Sequence, residues 1–517
     1  MEEAEVFRLV RGGSFDEALR KLSKEPELWT AEEEGGHSLL HWAALFGNVA
    51  FLREALKHIQ VDARAHNKQT PLMWAMTRGH VQVAKLLLQA KADPYAQDSV
   101  GASPLILAVQ HYHLNAVLLL FALCQRHLLL AGKDWRGCNV VSWAAYKGDI
   151  NALQLLIYFD ADFTVVDDEK MTPLHRAAQG QHEQIFRLLL DRGVDPSVVD
   201  VNGRTCLEVA QQVGHKSRAV RKLQRLLELQ PSKDPEMGKV LVQRRSSKDA
   251  EHLAQRARRL APASFWLCCV SVATFEYLTE LQTVAWQLTP RCAQAFEIGV
   301  PLCLLIFAAA ANKDPGKVPP RVKGNSAVEE VLRALQQPGD SEVEAAKRLC
   351  TATFVLKDLR TKYCKETKAC VKEFDHFCGW LGTAIGQGNH RLFMLLVVVE
   401  VTVQWLHFAM CFVFLRTVVS KDTYFDCVYY MVTQYPFVVF VMLMHFFSSP
   451  GIAFLLANHV YMVAVNMTTN EMINSYRYDH FWEVTDGRKV FKNPFNKGVL
   501  RNCLDFWWYQ DRSPRIA

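Results

Sequence analysis

Apolar residues are arranged in two different ways along the 517 residues of the chain. In the first half they recur at the spacing of a helix face, as in the sequence VQVAKLLL (residues 81–88), and this predicts short amphipathic helices. In the second half they form continuous runs of about 20 residues, the length that an α-helix needs to cross a bilayer. The pattern therefore predicts an all-α protein in which a helical repeat domain is followed by a membrane domain.

The helices of the first half belong to a repeated sequence unit of 32 to 36 residues. Its best copy is TPLHRAA (residues 172–178), in which the Thr hydroxyl can cap the first helix by accepting a backbone N–H. This period and this sequence resemble ankyrin repeats. Residues 1–230 are predicted to form a solenoid of about six repeats with a capping helix pair. The copies begin at Ser38, Thr70, Ser103, Asn139, Thr172 and Thr205.

Trp42 and Trp74 occupy equivalent positions in adjacent repeats. Repeat solenoids bind extended peptides or partner domains on their concave surface, so the two indoles are candidates for a substrate-binding groove. Aromatic residues at helical spacing more often pack between helices, and this second interpretation is the one we favour.

Four apolar runs predict four membrane spans, at residues 264–286, 293–311, 392–415 and from near 446 to 467. The apolar stretch 425–445 is predicted to approach the fourth span on the lumenal side or at the interface. An additional crossing there would put the two flanking basic regions on opposite sides. The predicted domains are the repeats (1–230), a basic cytosolic linker (231–262), the first two spans (263–312), a cysteine-containing loop (313–391), the last two spans (392–467) and a tail (468–517).

The distribution of charge sets the expected orientation. Lys and Arg are concentrated in the loop 313–391 and in the tail after Met467, whereas the short loops between spans carry few. The positive-inside rule therefore places both termini and the cysteine-containing loop in the cytosol. The formal net charge of +6 is modest for this length, and no stripe of basic and aromatic residues indicates nucleic-acid binding.

Glu400 lies inside the third predicted span. A carboxylate within a membrane helix is a functional candidate. It lies about two turns from the predicted cytosolic end of the span, so its side chain could also reach the interface. We favour this second interpretation.

Asp375, His376 and Cys378 lie within four residues of one another, shortly before the third span. Cysteine attacks as a thiolate, and a neighbouring imidazole can take its proton. A carboxylate can hold that imidazole in one tautomer and stabilise its charged form. These residues predict a nucleophilic thiolate at a membrane face, acting on an acyl or lipid-linked substrate.

Three further motifs flank this group in a fixed order. Asp314-Pro315-Gly316 follows the second span, Thr468-Thr469-Asn470-Glu471 follows the fourth, and Asn493-Pro494-Phe495 precedes Asn502 in the tail. Together with Trp380 and Asn389, this order resembles the DHHC-type protein S-acyltransferases, here with a variant DHFC sequence. The repeats place the resemblance in the ankyrin-repeat branch of that family, the huntingtin-interacting and Akr type.

The resemblance implies a protein-cysteine S-palmitoyltransferase of the Golgi or endoplasmic reticulum. Cys378 would take a fatty acyl group from acyl-CoA, palmitoyl-CoA in the first place, and pass it to cysteines of substrate proteins recruited by the repeats. His376 would act as the base and Asp375 would orient it. Supporting roles are implied for Asp314, Trp380, Asn389, Thr468, Thr469, Glu471 and Asn502.

The loop departs from the family at its metal ligands. The family binds two zinc ions there, each through three Cys and one His. Here Cys350, Cys364 and Cys370 occupy ligand positions, whereas five other positions hold residues that do not bind zinc. They are Thr353, Tyr363, Thr367, Phe377 and Ala384.

A structural zinc site needs four ligands, so no zinc and no other metal or cofactor is predicted, and acyl-CoA is the only co-substrate. Packing of Tyr363, Phe377 and Trp380 is expected to hold the loop instead. The lost ligands motivate an alternative function, a catalytically inactive membrane-anchored ankyrin scaffold. A channel or transporter fits poorly, because the spans are few and show no inverted repeat.

Overall fold

The computed structural model describes residues 2–213, 218–228, 261–319, 327–337, 346, 348–419, 423–485 and 488–508. The chain divides into two compact units. The first contains Met1–Arg244 and Arg321–Leu356, and the second contains Arg245–Pro320 and Lys357–Ala517. The basic linker predicted at 231–262 lies outside the described residues, apart from its last two positions.

The first unit is a stack of helix pairs, in which first helices pack on first helices and second helices on second helices. A pair at Glu2–Arg11 and Phe15–Lys24 and a 3-10 turn at Pro26–Thr30 begin the stack. The first helices are Leu39–Phe46, Pro71–Arg78, Pro104–Gln110, Val140–Lys147, Pro173–Gln179 and Cys206–Val213. The second helices are Val49–Ala55, Val81–Gln89, Leu114–Leu123, Ile150–Tyr158, Glu183–Asp191 and Arg218–Glu228, with an additional helix at Arg126–Ala131.

The ends of these helices follow from the repeated sequence. At Thr70 the hydroxyl accepts the N–H of Met73, and at Ser103 the hydroxyl accepts that of Ile106. Gly79 ends its helix at a φ of 72°. A Cβ at Gly79 would lie 2.5 Å from Nδ1 of His113 in the next repeat, so this position needs glycine for its space as well as for its backbone conformation.

A segment from the middle of the predicted loop packs on the repeats. Its helix, Ala327–Gln336, is called the docking helix below, and it contacts the second helix Leu114–Leu123. Gln336 Nε2 donates to the carbonyl oxygen of Ala122 at 2.8 Å. The apolar face has helical spacing, and each of its side chains is at most 2% exposed. These side chains are Val328, Val331, Leu332 and Leu335.

A short hairpin after the docking helix, β2 (Leu349–Cys350) and β3 (Val355–Leu356), extends this contact. In its turn, Thr351 Oγ1 donates to Asn151 Oδ1 at 2.8 Å, and the Phe354 ring lies 4.9 Å from the Tyr158 ring. The segment therefore covers second helices of the repeats. From the sequence, residues 313–391 were expected to form one loop. The packing of the middle part of this loop on the repeats was not predicted.

Leu332→Ala is expected to weaken docking of this segment by about 2–5 kcal/mol, because it leaves a cavity at a buried apolar contact. Limited proteolysis of the full chain should then cleave between residues 321 and 356 faster than in the wild type. Arg333→Ala, at an exposed position of the same helix, is the matched control. Equal cleavage of both variants would contradict the described packing.

Four helices of the second unit are long and apolar enough to cross a membrane. The fourth was expected to start near residue 446, and this was wrong by ten residues. Pro436 stands in its first turn, where proline is tolerated, and Pro450 lies inside the helix without ending it. Residues 424–434 form a separate helix, Tyr424–Gln434. The spans are Ala261–Leu288, Pro290–Asn312, His390–Val418 and Pro436–Val465.

The rest of the second unit consists of short hairpins and the tail. β1 (Lys317–Val318), β5 (Ala369–Val371) and β4 (Lys362–Cys364) form a sheet in that order, and β6 (His376–Cys378) pairs with β7 (Thr383–Ile385). All of these pairs are antiparallel. The tail contains helices Thr469–Asn474 and Val499–Trp508, 3-10 turns at Ser475–Arg477 and Asp479–Phe481, and the hairpin β8 (Trp482–Thr485) and β9 (Arg488–Phe491).

Candidate active site

The strand β6 places the predicted base and nucleophile on one face. Side chains of a strand alternate between its faces, so His376 and Cys378 share one side and Phe377 lies on the other. In agreement with this, Cys378 and Phe377 belong to different apolar clusters. Asp375 directly precedes the strand, and its N–H donates to the carbonyl oxygen of Ile385 at 2.9 Å. The strand explains why one residue separates the imidazole from the thiol.

Asp375 is bound by donors from two segments of the chain. Nδ1 of His376 lies 2.7 Å from Oδ2 of Asp375. The backbone N–H of Thr469 donates to Oδ1 at 2.7 Å, and its hydroxyl donates to Oδ2 at 2.8 Å. The Asp375 residue is 1% exposed and Cys378 is 6% exposed. The contact with Asp375 uses one ring nitrogen and leaves the other for Cys378, with which His376 also interacts.

The electrostatics of this group favour a charged imidazole. Burial alone would raise the pKa of Asp375, but the charge of His390 and the hydrogen bond and charge of His376 outweigh burial and hold the pKa well below its ordinary value. Burial would lower the pKa of His376, but the hydrogen bonds to Asp375 and Cys378 prevail and raise it to about 9. His376 therefore carries a proton at neutral pH.

The turn after the fourth span fixes Thr469. The Thr468 hydroxyl accepts the N–H of Glu471 at 3.2 Å, and the Glu471 carboxylate accepts the N–H of Thr468 at 2.8 Å, which is a capping box. Nε and Nη2 of Arg360 each donate to the Glu471 carboxylate at 2.7 Å, and both residues are buried. Thr468 and Glu471 thus act on Asp375 only through the position of Thr469.

Arg360→Gln is expected to lower the free energy of unfolding of the second unit by about 3–5 kcal/mol, because it leaves the Glu471 carboxylate buried without its charged partner. Denaturant unfolding in detergent measures this change. Lys492→Gln removes the exposed ion pair to Glu483 and should lower the free energy of unfolding by less than about 1 kcal/mol. Similar losses in the two variants would contradict a buried role for the Arg360 pair.

Asp314 and Asn389 shape the two ends of the loop. Oδ1 of Asp314 accepts the N–H groups of Gly316 and Lys317 at 3.0 and 2.9 Å. Asn389 is fully buried, and its Nδ2 donates to the carbonyl oxygen of Ala384 at 2.9 Å while its Oδ1 accepts the N–H of Gly386 at 3.1 Å. Both residues fix backbone turns, and neither contacts the thiol or the imidazole in the described hydrogen bonds.

Asn502 ties the tail to the end of the fourth span. Its Nδ2 donates to the carbonyl oxygen of Ala464 at 2.7 Å, and its Oδ1 accepts the N–H of Lys497 at 2.9 Å. The family resemblance implied a supporting role for Asn502. The structure places its hydrogen bonds at the last turn of the span and in the tail itself.

The expected packing of aromatic residues in the loop holds for Phe377 but not for Trp380. Phe377 packs against Cys364, Val371 and Ala384. Trp380 is 50% exposed, and its ring lies 6.3 Å from that of Phe265. It follows β6 in the turn before β7, where its side chain lines a cavity instead of filling the loop interior.

This cavity, of about 890 Å³, lies among the spans and is mostly lined by apolar side chains. Cys378 and His376 are part of its wall, and Phe393 and Leu396 of the third span lie beside them. Its volume is typical of a cavity that encloses one small ligand. The thiol of Cys378 therefore faces a space suited to an apolar chain.

Glu400 also lines this cavity, and the expectation that it reaches the interface was wrong. Oε1 of Glu400 accepts a hydrogen bond from Trp266 Nε1 at 3.2 Å and from Gln404 Nε2 at 2.8 Å, and Oε2 accepts one from Cys303 at 3.0 Å. The carboxylate thus bonds to three side chains from the first three spans. Two of these donors, Trp266 and Cys303, are on neighbouring helices. These contacts could not be predicted from the position of Glu400 in the sequence.

The three loop cysteines at the ligand positions of the family lie on three different strands. Cys350 lies on β2 of the first unit, whereas Cys364 and Cys370 lie on β4 and β5 of the second. No group of three closely spaced His, Cys, Asp or Glu ligands in the described ranges includes any of them. A four-ligand zinc site does not fit these residues, and the absence of loop zinc stays a prediction.

The two candidate groove residues lie together within the stack. The rings of Trp42 and Trp74 are 5.5 Å apart, and both indoles are only partly buried. Trp42 Nε1 donates to Glu33 at 3.2 Å and Trp74 Nε1 donates to Gln69 at 2.9 Å. These contacts support packing between repeats, and a role in substrate binding stays a prediction.

Sequence reasoning missed Arg360, the residue that anchors the turn at Glu471. It is one of many basic residues in the loop and belongs to no recognisable motif. Its partner lies 111 residues away, so only the fold brings the two together.

The chain is similar to known proteins over both halves. Residues 343–476 match the family described as DHHC palmitoyltransferase, and residues 8–98, 40–127 and 141–229 match ankyrin repeats. The protein named Palmitoyltransferase AKR1 from Lachancea kluyveri is 24% identical over 444 residues, which cover 75% of this chain and 59% of that protein. Palmitoyltransferase ZDHHC17 from Danio rerio is 25% identical over 529 residues, which cover 91% and 82%.

Among solved structures, the ankyrin repeat domain of Bcl-3 is similar to this chain at 25% identity and a TM-score of 0.34. The match covers 38% of this chain and 86% of that structure.

Proposed function

We propose that this chain, which belongs to the DHHC palmitoyltransferases that carry ankyrin repeats, transfers a fatty acyl group from acyl-CoA to protein cysteines through a thioester at Cys378. The observation that carries the proposal is the position of Cys378, which shares a strand face with His376 and borders an apolar cavity. The test is release of CoA from palmitoyl-CoA by the purified full chain in detergent. Absence of release would favour the catalytically inactive scaffold, which the incomplete zinc ligands of the loop suggest.

The first step forms the acyl-enzyme. His376 holds the proton that Cys378 has given up, and the Cys378 thiolate paired with this imidazolium attacks the carbonyl carbon of the acyl-CoA thioester. The bond from that carbon to the CoA sulfur breaks, and the departing CoA thiolate takes the proton from His376. Asp375 stays ionised and stabilises the imidazolium throughout.

The second step passes the acyl group to a protein. A substrate cysteine gives its proton to the now neutral His376 and attacks the Cys378 thioester. Cys378 leaves as a thiolate beside the imidazolium, which restores the starting pair. In both steps the acyl chain occupies the cavity between the spans. Each methylene that leaves water contributes about 0.8 kcal/mol, so a long chain would supply much of the binding free energy.

The chain is a multi-pass membrane protein, and we place both termini and the Cys378 loop in the cytosol. The basic residues of the loop and tail support this orientation. Acyl-CoA would then reach Cys378 from the cytosolic side, and the repeats would recruit cysteine-containing substrate proteins there. Golgi or endoplasmic reticulum is the location that we propose.

Formation of the thioester is expected to fall as the pH rises through about 9, because His376 then loses the proton that the leaving CoA thiolate must receive. The folded pKa lies above the ordinary imidazole value of about 6.5, so this proton stabilises the fold fully below about pH 6.5 and no longer once the pH passes about 9. Rates of CoA release between pH 6 and 10 check the expectation. A rate that keeps rising beyond pH 9 would contradict it.

A further inference from the structure

A second group of chemically active side chains lies inside the membrane bundle, and one of its members, His407, lines the same cavity as Cys378. Glu276 of the first span and His407 of the third are fully buried, and Oε2 of Glu276 lies 2.8 Å from Nε2 of His407. Cys411, also fully buried, has its Sγ 3.9 Å from Oε1 of Glu276. One ligand atom from each residue lies within 4.8 Å of the other two.

The charge of Glu276 needs compensation at this depth. A carboxylate buried among apolar helices costs several kcal/mol unless an opposite charge or several hydrogen bonds stabilise it. Across the described parts of the chain, no Lys or Arg side chain pairs with Glu276, and its contact with His407 is an ion pair only if that imidazole is protonated. Apolar side chains, which include Phe296, Met410 and Phe414, pack in the same part of the bundle. A bound cation would supply the missing charge.

The backbone presents these side chains in a way that suits a metal. His407 and Cys411 are four residues apart, so they lie on the same face of the third span. A π-helical turn at Tyr277–Leu281 begins directly after Glu276. Such turns are rare and often mark functional positions in helices.

A second layer is present as well. Nε2 of His445 in the fourth span lies 2.9 Å from Nδ1 of His407, so it can fix the orientation of the His407 ring. Metal-bound histidines usually have such a partner on their second ring nitrogen. Nδ1 of His445 is buried and has no hydrogen-bond partner in the structure.

We propose that Glu276, His407 and Cys411 bind a divalent transition metal, zinc in the first place, in the interior of the membrane bundle. Carboxylate, imidazole and thiolate are the ligand types that zinc takes, at about 2.0–2.3 Å, and a site with three protein ligands is completed by a water in the fourth position. Zinc with one carboxylate, one thiolate and a neutral imidazole has no net charge, which favours burial among apolar helices. The site joins the first span to the third, and it is separate from the loop cysteines.

Metal analysis of the full chain in detergent tests this site. After exposure to Zn²⁺ and removal of free metal, the wild type should keep about one zinc per chain, the number that one such ligand set holds. Cys411→Ala and Glu276→Gln should each lose it. Exposed Cys268→Ala and the combined change of Cys350, Cys364 and Cys370 to Ser are the controls, and both should keep the metal. Zinc lost only with the loop cysteines, or no zinc in the wild type, would overturn the proposal.

Cobalt gives a readout that does not depend on retention of zinc. Co²⁺ bound by the wild type should show a thiolate-to-cobalt charge-transfer absorption, and this band should be missing in Cys411→Ala. His445→Gln should weaken Zn²⁺ binding about 10- to 100-fold in a chelator competition, as loss of an outer ligand partner does. Circular dichroism and gel filtration identify a variant that fails to fold. A folded Cys411→Ala protein that keeps the cobalt band would exclude the cluster as the site.

Discussion

Cys378→Ser is expected to lower CoA release from palmitoyl-CoA by on the order of 10³-fold or more, because residues that act together in catalysis lose nearly all activity when the nucleophile is removed. A serine hydroxyl keeps the size of the side chain but is a far weaker nucleophile than a thiolate at this position. Cys378 is buried beside His376 and the cavity, so the substitution changes chemistry more than packing.

Cys292→Ser is the matched control for this change. Cys292 lies in the first turn of the second span, at the opposite end from the loop, and is partly buried. Its substitution should leave the rate close to that of the wild type. A Cys378→Ser protein with the same rate as Cys292→Ser would show that CoA is released by another group, and the proposed acyl-enzyme would be wrong.

Asp375→Asn is expected to reduce the rate by roughly 10²- to 10⁴-fold, since an amide neither stabilises the imidazolium nor enforces the same tautomer. The pKa of His376 should fall, because burial then acts without the opposing carboxylate. The alkaline decline in rate should therefore move from about pH 9 to a lower pH. A rate profile recorded between pH 6 and 10 measures both effects.

Thr469→Ala is expected to reduce the rate less than Asp375→Asn does. It removes the hydroxyl that donates to Asp375 but leaves the backbone N–H of residue 469 in place. The loss of one hydrogen bond to a carboxylate should raise the activation free energy by about 1.5–3 kcal/mol at most. This effect is smaller than the one expected from loss of the Asp375 charge. Equal rates for Thr469→Ala and Asp375→Asn would contradict the role assigned to the Asp375 charge.

The repeats, the four spans and the proximity of Asp375, His376 and Cys378 were predictable because each depends on local sequence. Helix caps such as Thr70 and glycines such as Gly79 act within a few residues, and apolar runs of span length need no tertiary information. His376 and Cys378 lie on the same face because they are two residues apart in a strand, and this also follows from local sequence. For these elements the local pattern and the fold agree.

The remaining features depend on contacts between distant residues. The docking helix Ala327–Gln336 has an ordinary amphipathic pattern, which indicates a buried face but not the repeats as its partner. Arg360 meets Glu471, and Glu276 meets His407 131 residues away, only in the folded chain. The fourth span was placed too late because the whole apolar stretch 425–445 was assigned to an approach segment, whereas its second half belongs to the helix Pro436–Val465.

Peptide mapping tests most directly whether the acyl group is carried by Cys378. The purified wild-type chain is incubated with alkyne-palmitoyl-CoA, digested, and analysed by mass spectrometry with and without hydroxylamine. We expect an acyl group on the peptide that contains Cys378, removed by hydroxylamine and missing from the Cys378→Ser protein. An unmodified Cys378, under conditions in which an active relative is labelled, would contradict the proposed acyl-enzyme and favour the inactive scaffold.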